Sequence, residues 1–260
     1  MKKLTVVLLA LIGVFAFALC GCSNGDAFTE KSYSSGENGI EKIVVQVEDR
    51  ELEISASEDN RVYIGYFDGE KEYLDISVSE SKELTVKLLY NKNWTDFFGV
   101  KPSAEYRKIK IKIPDNLLVS FSASTTNENI ILNPLSFTEN LSLDVNGGDI
   151  VCEQVNAGKF INLKAKSGNV MVKPLTFAEQ ISIEAIDGNV VCEGVSVGKS
   201  VSLTAKNGDI TGSVLGEWDD FSIFCKIKKG DCNLPLNKEE GDKLFTADCN
   251  NGDINIEFVK

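Results

Sequence analysis

The sequence predicts an all-β protein that folds as a β-solenoid, the parallel β-helix-like architecture, with about seven coils of 20–22 residues preceded by an irregular β cap region. Three features of the C-terminal half predict this fold: apolar and polar residues alternate, a Gly followed by Asp or Asn recurs, and the spacing of these glycines is nearly constant. The turn glycines, spaced by 20, 20, 20, 22 and 22 residues, are Gly148, Gly168, Gly188, Gly208, Gly230 and Gly252. A fixed period of this length is typical of solenoids.

Residues 1–21 are typical of a bacterial export signal. Lys2 and Lys3 precede a run without charge from Leu4 to Leu19, which is the basic start and apolar middle of a secretory signal. This run is too short to span a membrane comfortably. We therefore expect residues 1–21 to be removed as a lipoprotein signal peptide.

The motif that ends this signal resembles the bacterial lipobox. Leu19-Cys20-Gly21-Cys22 predicts cleavage between Gly21 and Cys22 and lipidation of Cys22. Cys20 is the poorer candidate because Leu19, directly before it, is too large for the cleavage pocket. The alternative is an ordinary signal peptide with a chance cysteine. Two or three acyl chains on one residue give stable anchoring, so we expect a lipid-anchored protein on the extracytoplasmic side of the bacterial cell membrane.

Residues 22–40, which begin at the cysteine expected to be lipidated, are rich in Ser, Gly, Asn and charged residues, which predicts a flexible linker. Without the signal, 25 basic and 39 acidic residues remain, a net charge of −14. This charge argues against nucleic acid as a partner, and against direct adhesion to anionic lipid or wall polymer without a bridging cation. A cationic partner stays possible, although acidity for solubility alone explains the charge equally.

Residues 41–117 show alternating apolar segments without the clear period, and we expect them to form an N-terminal β region that caps the first coil. Asp68-Gly69 is a plausible hairpin turn. The connection over residues 90–101 is long and aromatic, and two interpretations of it remain. Trp94, Phe97 and Phe98 form a partner contact surface, or they fold back as a flap over the apolar cap. Trp218 has the same ambiguity.

The repeats occupy residues 118–260, with a degenerate first repeat around Glu128-Asn129-Ile130. Positions seven, five and three before each turn glycine, and two and four after it, are apolar and should point inward. The five remaining cysteines all fall in these inward columns: Cys152, Cys192, Cys225, Cys232 and Cys249. Cys152 and Cys192 are two coils apart, about 9.6 Å, too far for a disulfide. A disulfide among the other three stays open.

An Asp or Asn follows each turn glycine. Such a residue can bond the turn backbone, which explains the column structurally. Asp209, Asp231 and Asp253 come from successive repeats, however, so the sequence places three carboxylates near 5 Å apart on one edge. Repulsion between them would favour a bound cation, and calcium is the candidate because it prefers several oxygen ligands. No other cofactor is expected.

Enzyme functions have little support. The chain contains no histidine, which excludes Ser-His and Cys-His pairs and the conventional zinc sites. Carboxylate pairs alone can cleave polysaccharides. Enzymes of that kind built on a β-helix form their cleft from long loops between coils, whereas the period here varies by only two residues.

The lipobox, the irregular N-terminal β region, the strand ending in Ile111-Lys112-Ile113-Pro114 and the Gly-Asp/Asn repeats together resemble the bacterial putative-adhesin family of β-strand-repeat lipoproteins, a domain of unknown function. The resemblance covers about residues 41 to 260. It implies a β-solenoid on the cell envelope and transfers no catalytic residue.

The sequence therefore favours a lipid-anchored extracytoplasmic binding protein without catalytic activity, with an adhesin-like or envelope-interaction role. Its expected partners are the membrane, through the lipid anchor, and an envelope protein or surface polymer. One alternative is an accessory regulator of a membrane sensor for envelope stress. A third is a polysaccharide-active β-helix enzyme, whose activity would require Asp209, Asp231 or Asp253.

Overall fold

The computed structural model of the protein describes residues 27–36, 39–93, 101–115, 119–174 and 176–260. These residues form 22 strands joined in one mixed sheet, which confirms the all-β prediction. The N-terminal strands are β1 (Thr29–Ser34), β2 (Lys42–Gln46), β3 (Glu51–Ala56), β4 (Tyr63–Asp68), β5 (Glu72–Val78), β6 (Glu83–Tyr90) and β7 (Lys108–Ile113). Those of the middle are β8 (Ser120–Thr125), β9 (Ile130–Leu132), β10 (Leu135–Phe137), β11 (Asn140–Val145), β12 (Ile150–Cys152), β13 (Val155–Ala157), β14 (Phe160–Ser167) and β15 (Val170–Val172). The last seven are β16 (Thr176–Asp187), β17 (Val190–Asn207), β18 (Ile210–Leu215), β19 (Phe221–Lys229), β20 (Asn237–Lys238), β21 (Lys243–Asn251) and β22 (Ile254–Val259).

One coil, residues 140–159, shows how the repeat folds. It consists of β11, a turn at the glycine, and then the short strands β12 and β13, which meet at a corner. Every second side chain points inward, as the alternation predicts. The inward side chains are at most 1% exposed, and they are Leu141, Leu143, Val145, Ile150, Cys152, Val155 and Ala157.

Successive coils stack in parallel and in register. Leu141 of β11 lies opposite Phe121 of β8 on one side and Ile161 of β14 on the other. Each inward column therefore becomes a continuous apolar ladder that no single coil could bury alone. This arrangement of parallel strands around one core is solenoid-like.

The structure differs from the prediction of a flexible linker over residues 22–40. Thr29–Ser34 form β1, which pairs antiparallel with β4 along its whole length. Lys31 is 3.0 Å from the buried carboxylate of Asp68, and Phe28 stacks on Tyr106 with ring centroids 5.1 Å apart. The polar composition of this segment suits an edge strand, whose outward side chains need no apolar partner.

The predicted boundary at residue 118 does not interrupt the stack either. β2 pairs in parallel with β8, and β3 pairs in parallel with β9, so residues 42–56 form a coil of the same kind as the repeats. β6 and β7 then pair in parallel with the other edges of β2 and β3. The region lacks the sequence period because its connections vary in length, although its strands have the same inward alternation.

The stacking order at the C-terminal end is not the order of the sequence. β17 pairs with one edge of β21, and β19 pairs with the other edge. In the stack, β21 therefore lies between β17 and β19, although β19 comes before β21 in the sequence. The outer edge of β19 is covered at Ile223 and Phe224 by the short antiparallel strand β20. The opposite, inner edge of β19 pairs with β21.

Both ends of the stack are closed by antiparallel strands and by specific side chains. At the N-terminal end, the hairpin of β5 and β6 is held by Glu72, whose carboxylate lies 2.5 Å from both Arg50 and Lys92. At the C-terminal end, the ring of Phe258 packs against Phe221 and Phe245 at centroid distances of 4.9 and 5.6 Å. These closures keep the core away from water where no further coil covers it.

Candidate interaction surface

The Asp and Asn residues after the turn glycines form a hydrogen-bonded ladder along one corner of the stack. In each coil, the side-chain oxygen accepts a hydrogen bond from the backbone N–H of the corresponding residue in the next coil. The side chain of Asn129 thus accepts from Asp149 at 2.9 Å, and that of Asp149 accepts from Asn169 at 2.7 Å. The column therefore has a structural explanation, as one of the two interpretations predicted, although its hydrogen bonds join neighbouring coils and not residues of one turn.

The three carboxylates considered for calcium belong to this ladder, in a different order from the one predicted. The side chain of Asp209 accepts from the N–H of Asp253 at 2.9 Å, and that of Asp253 accepts from Asp231 at 2.8 Å. Asp253 thus lies between the other two because β21 is inserted before β19. Among the described residues, no group of three or more Asp, Glu or Cys is placed to hold a metal ion. Calcium binding stays a prediction, which thermal melting with millimolar calcium would test.

The turn glycines are required mainly by close stacking. A Cβ on Gly168 would lie 2.1 Å from the carbonyl oxygen of Gly148, and one on Gly188 would lie 2.0 Å from that of Gly168. No side chain fits at such a distance. A positive φ, the other common reason for glycine in a turn, occurs among the turn glycines only at the later turns, at Gly208, Gly230 and Gly252.

A shallow open groove lies at the N-terminal end, and its two charged side chains are already paired with each other. Lys31, Asp68, Tyr66, Tyr73 and Leu74 line part of it. The Asp68 carboxylate binds Lys31 and accepts a hydrogen bond from the backbone N–H of Leu74 at 2.8 Å. These contacts hold β1 and β5 in place, so the groove offers structural pairs and no nucleophile paired with a base.

Many charged side chains that point out of the stacked strands are paired between neighbouring coils. Lys159 is 2.6 Å from Glu139, and Lys173 is 2.5 Å from Glu153. Lys164 is 3.2 Å from Glu184 on the long face. Because opposite charges alternate from coil to coil, these columns present little net charge to a partner.

One uncharged column lies on the long face and is called here the hydroxyl column. Its members are aligned residue by residue through the parallel register. They carry short hydroxyl or amide side chains in six adjacent coils, and they are Ser122, Ser142, Asn162, Ser182, Ser202 and Thr246. The hydroxyl column gives the long face a flat, uncharged, polar centre.

Another uncharged column is apolar, lies on the neighbouring short face, and is called here the aliphatic stripe. It consists of Ile131, Val151, Met171 and Val191, which lie opposite one another in four adjacent coils. All four point outward and are partly exposed. At a strand spacing of about 4.8 Å the stripe is roughly 15 Å long. A contiguous apolar patch on a surface is a common mark of an interaction site.

The predicted partner contacts and the lipidation site lie outside the described residues. Trp94, Phe97 and Phe98 fall in residues 94–100, and Gly21 and Cys22 fall in residues 1–26. Those predictions stay predictions. Trp218 is described, and it combines both of its interpretations: the side chain is 41% exposed, yet its ring packs edge-on against Phe258.

Comparison with known proteins assigns the family. The family model Toastrack DUF4097 matches residues 40–260, which is most of the chain. The chain belongs to the Toastrack DUF4097 family. This agrees with the resemblance stated above to a putative-adhesin family with a domain of unknown function. No curated protein matches the chain.

The chain is also similar to several solved structures. A putative adhesin from Bacteroides fragilis is 15% identical, with a TM-score of 0.51 over 91% of this chain and 100% of that one. A putative cell adhesion protein from Clostridium sporogenes is 12% identical, with a TM-score of 0.40 over 89% of this chain and 100% of that one. A putative adhesin from Parabacteroides distasonis is 14% identical, with a TM-score of 0.38 over 89% of this chain and 98% of that one. At 15% identity, the likeness to the Bacteroides fragilis protein concerns the fold alone.

Sequence reasoning missed both uncharged columns, although their signal is present. The hydroxyl column stands six residues before each turn glycine for most repeats, and the aliphatic stripe stands three residues after it. The sequence analysis followed the inward positions and treated the outward ones as generally polar. Reading the outward positions column by column would have revealed Val151, Met171 and Val191 as an exception.

Proposed function

We propose that this Toastrack protein is a lipid-anchored extracytoplasmic binding protein without catalytic activity, and that it acts by an adhesin-like contact with another protein of the cell envelope. The aliphatic stripe carries this proposal. Four aliphatic side chains in register are partly exposed on a protein in which 25% of residues are charged. An envelope protein with a complementary apolar surface is the partner that such a stripe fits.

The energy available from the stripe suits a partner that is already nearby. Fully burying a Val, Ile or Met side chain contributes about 1.5–3 kcal/mol, so covering the smaller, exposed part of four such side chains contributes at most about 4 kcal/mol. Association in free solution costs at least about that much in lost motion. A shared membrane raises the effective concentration of two anchored proteins, so a modest contact becomes sufficient.

The short connection to the membrane favours the same conclusion. Phe28 is already packed on Tyr106, which leaves residues 23–27 as the spacer after Cys22. Six fully extended residue steps span at most about 22 Å. With Cys22 lipidated, the start of the domain stays within that distance of the bilayer.

A second candidate function follows from that short spacer. A protein held close to the membrane is well placed to bind an integral membrane protein, which favours the role of an accessory regulator of an envelope-stress sensor. Within the described residues, no helix is long and apolar enough to span a bilayer. In this role, the proposed lipid at Cys22 would hold the regulator beside its sensor.

Cross-linking on intact cells, followed by mass spectrometry, tests the proposal. The wild-type lipoprotein is compared with the double variant Val151→Thr and Val191→Thr, which keeps the side-chain shape and β-branching; Thr211 occupies the same column in the next coil. We expect the wild type to yield a dominant envelope protein and the variant to lose most of it. The matched control, Ser142→Thr with Ser182→Thr in the hydroxyl column, should retain it.

Two results would contradict the proposal. Equal recovery of the partner by the wild type and the aliphatic variant would exclude the stripe as the contact. Release of the wild-type protein from the membrane fraction to the same extent as a Cys22→Ser variant would exclude the lipid anchor. A partner that is integral to the membrane would favour the regulatory role over simple adhesion.

A further inference from the structure

Two cysteines occupy one corner of the outermost coil, at positions that are apolar in the other repeats. In each coil, the residue five before the turn glycine and the residue two after it both point inward across that corner. In the preceding repeats these pairs are Leu143 with Ile150, Leu163 with Val170, Ile183 with Val190, and Leu203 with Ile210. The inserted coil has Ala247 with Ile254, and the outermost coil has Cys225 with Cys232.

The thiols of Cys225 and Cys232 are neighbours in the structure. Cys225 is 7% exposed in β19, and Cys232 is partly exposed just beyond the turn, where it bridges to Ile254. Burial raises the pKa of Cys225 to about 12, and the Cys232 thiol, which is in hydrogen-bonding contact, contributes to this shift. The two cysteines are separated by only six residues in the chain.

The other three described cysteines lack such a neighbour. Cys152 and Cys192 are separated by Val172 in the stack, as predicted. The thiol of Cys249 donates toward the carbonyl oxygens of Gly208 and Gly252, at 3.4 and 3.3 Å. The pair at the outermost corner is therefore distinct.

The outermost coil is also the place where a covalent link has the most effect. β19 has a stacked coil on one side only; on the other side the short β20 pairs with Ile223 and Phe224, and the backbone N–H of Cys225 donates to the carbonyl oxygen of Leu236 at 3.0 Å. The corner column is fully buried at Ile254 but partly open at Cys232. Apolar packing therefore holds this corner less firmly than the equivalent corners inside the stack.

We propose that Cys225 and Cys232 form a structural disulfide that staples the end coil after export. The reaction needs a disulfide donor, RSSR, of the kind that exported thiols meet outside the cytoplasm. The more exposed thiolate of Cys232 attacks the donor, which releases one RSH and leaves Cys232 as a mixed disulfide. The Cys225 sulfur, after losing its proton, then displaces the second thiol, so that two protein thiols are oxidised and RSSR is reduced to two RSH.

Peptide mapping of the lipoprotein purified from its envelope tests this assignment. The protein is incubated with oxidised glutathione, free thiols are alkylated under denaturing conditions, and the chain is digested with trypsin. Because Lys226, Lys228 and Lys229 lie between the two cysteines, a disulfide joins two tryptic peptides that separate on reduction. We expect this linked pair as the dominant product, with Cys152, Cys192 and Cys249 alkylated, and the same linkage in protein alkylated directly from cells.

The link should also raise the melting temperature, by roughly 5 °C relative to reduced protein, because it constrains a short loop of the unfolded chain. The variant Cys225→Ser should lose both the linkage and this redox-dependent difference, whereas Cys152→Ser should keep both. Alkylation of all five cysteines after treatment with oxidised glutathione would overturn the proposal. A dominant linkage through Cys249, or a linkage seen in vitro but absent from cells, would overturn it as well.

Discussion

At the scale of single residues, the turn glycines set how closely two coils can approach. The missing side chain of Gly168 leaves room for the carbonyl oxygen of Gly148, which a Cβ would meet at 2.1 Å. Backbone on both sides blocks relaxation, so the two coils would have to move apart. The neighbouring coil thus imposes the need for glycine at this position. The preference of glycine for tight turns, which is a property of the local sequence, explains it only in part.

We predict that Gly168→Ala lowers the free energy of unfolding by about 1–3 kcal/mol, the usual cost of forcing extra volume into a packed site. Gly65→Ala is the matched control, because a Cβ there would meet nothing within 4 Å and should change the free energy by less than about 0.5 kcal/mol. Chemical denaturation of both variants measures the difference. Equal effects would show that the glycine column is not needed for close stacking.

Glu72 provides a prediction for acid conditions. Burial alone would raise the pKa of its carboxyl, but the hydrogen bond from Lys92 and the charge and hydrogen bond of Arg50 outweigh burial, so the pKa is lowered. A pKa that is lower in the folded state stabilises the protein above the ordinary glutamate pKa of about 4.3, and this contribution is lost as the pH falls toward the folded value. This contribution to stability is absent from a variant that has no ionisable group at position 72.

We therefore expect the melting temperature of wild-type protein to fall as the pH drops below about 4.3, and to fall less steeply in Glu72→Gln, which is less stable than wild type at neutral pH. The difference between the two proteins at each pH is the quantity to measure. Parallel melting curves from neutral to acid pH would show that the ion pairs of Glu72 add no pH-dependent stability.

At the scale of strands and coils, the sequence predicted which residues face inward, but it did not predict which strands lie next to each other at the two ends of the stack. Leu141 opposite Ile161 follows from a constant offset of 20 residues. The order of β17, β21 and β19 does not, because a repeat pattern records which residues face inward but not which coil lies beside which. β1 was missed for a related reason: an edge strand needs few apolar residues, so its composition is that of a linker.

The inserted position of β21 predicts an unusual protection pattern in hydrogen exchange. β21 is stacked between β17 and β19, whereas β19 has a coil on one side only, so amides of β21 should exchange more slowly than those of β19 although β21 is nearer the C-terminus. Residues 245–249 and 223–227 provide the matched comparison. Faster exchange in β21 would contradict the inserted order.

At the scale of the whole molecule, the structure is a stack of coils, and its first strand, β1, lies at the N-terminal end of that stack. Eleven strands follow one another along the long face, from β5 to β20, so the stack is roughly 48 Å long at the usual strand spacing. With Cys22 lipidated as proposed and a spacer of at most about 22 Å, the far end of the stack would lie within about 70 Å of the membrane. That reach suits a partner within the envelope better than one on another cell.

The site was less predictable than the fold. The candidate residues chosen from sequence were conspicuous ones: aromatics on a long connection and acidic residues in a turn column. The acidic residues are engaged by the backbone of the next coil, as the bond between Asp209 and Asp253 shows. The aliphatic stripe is built from ordinary residues whose only unusual property is that they face outward together, which becomes visible once the register is known.

The most direct test of the central claim is site-specific photo-cross-linking in intact cells. A photoreactive amino acid is placed at position 151 in the aliphatic stripe or, in a separate strain, at position 142 in the hydroxyl column. We predict that position 151 gives one dominant adduct with an envelope protein and that position 142 gives little of it. Adducts of equal strength at both positions, or an adduct only at position 142, would contradict the assignment of the aliphatic stripe as the binding surface.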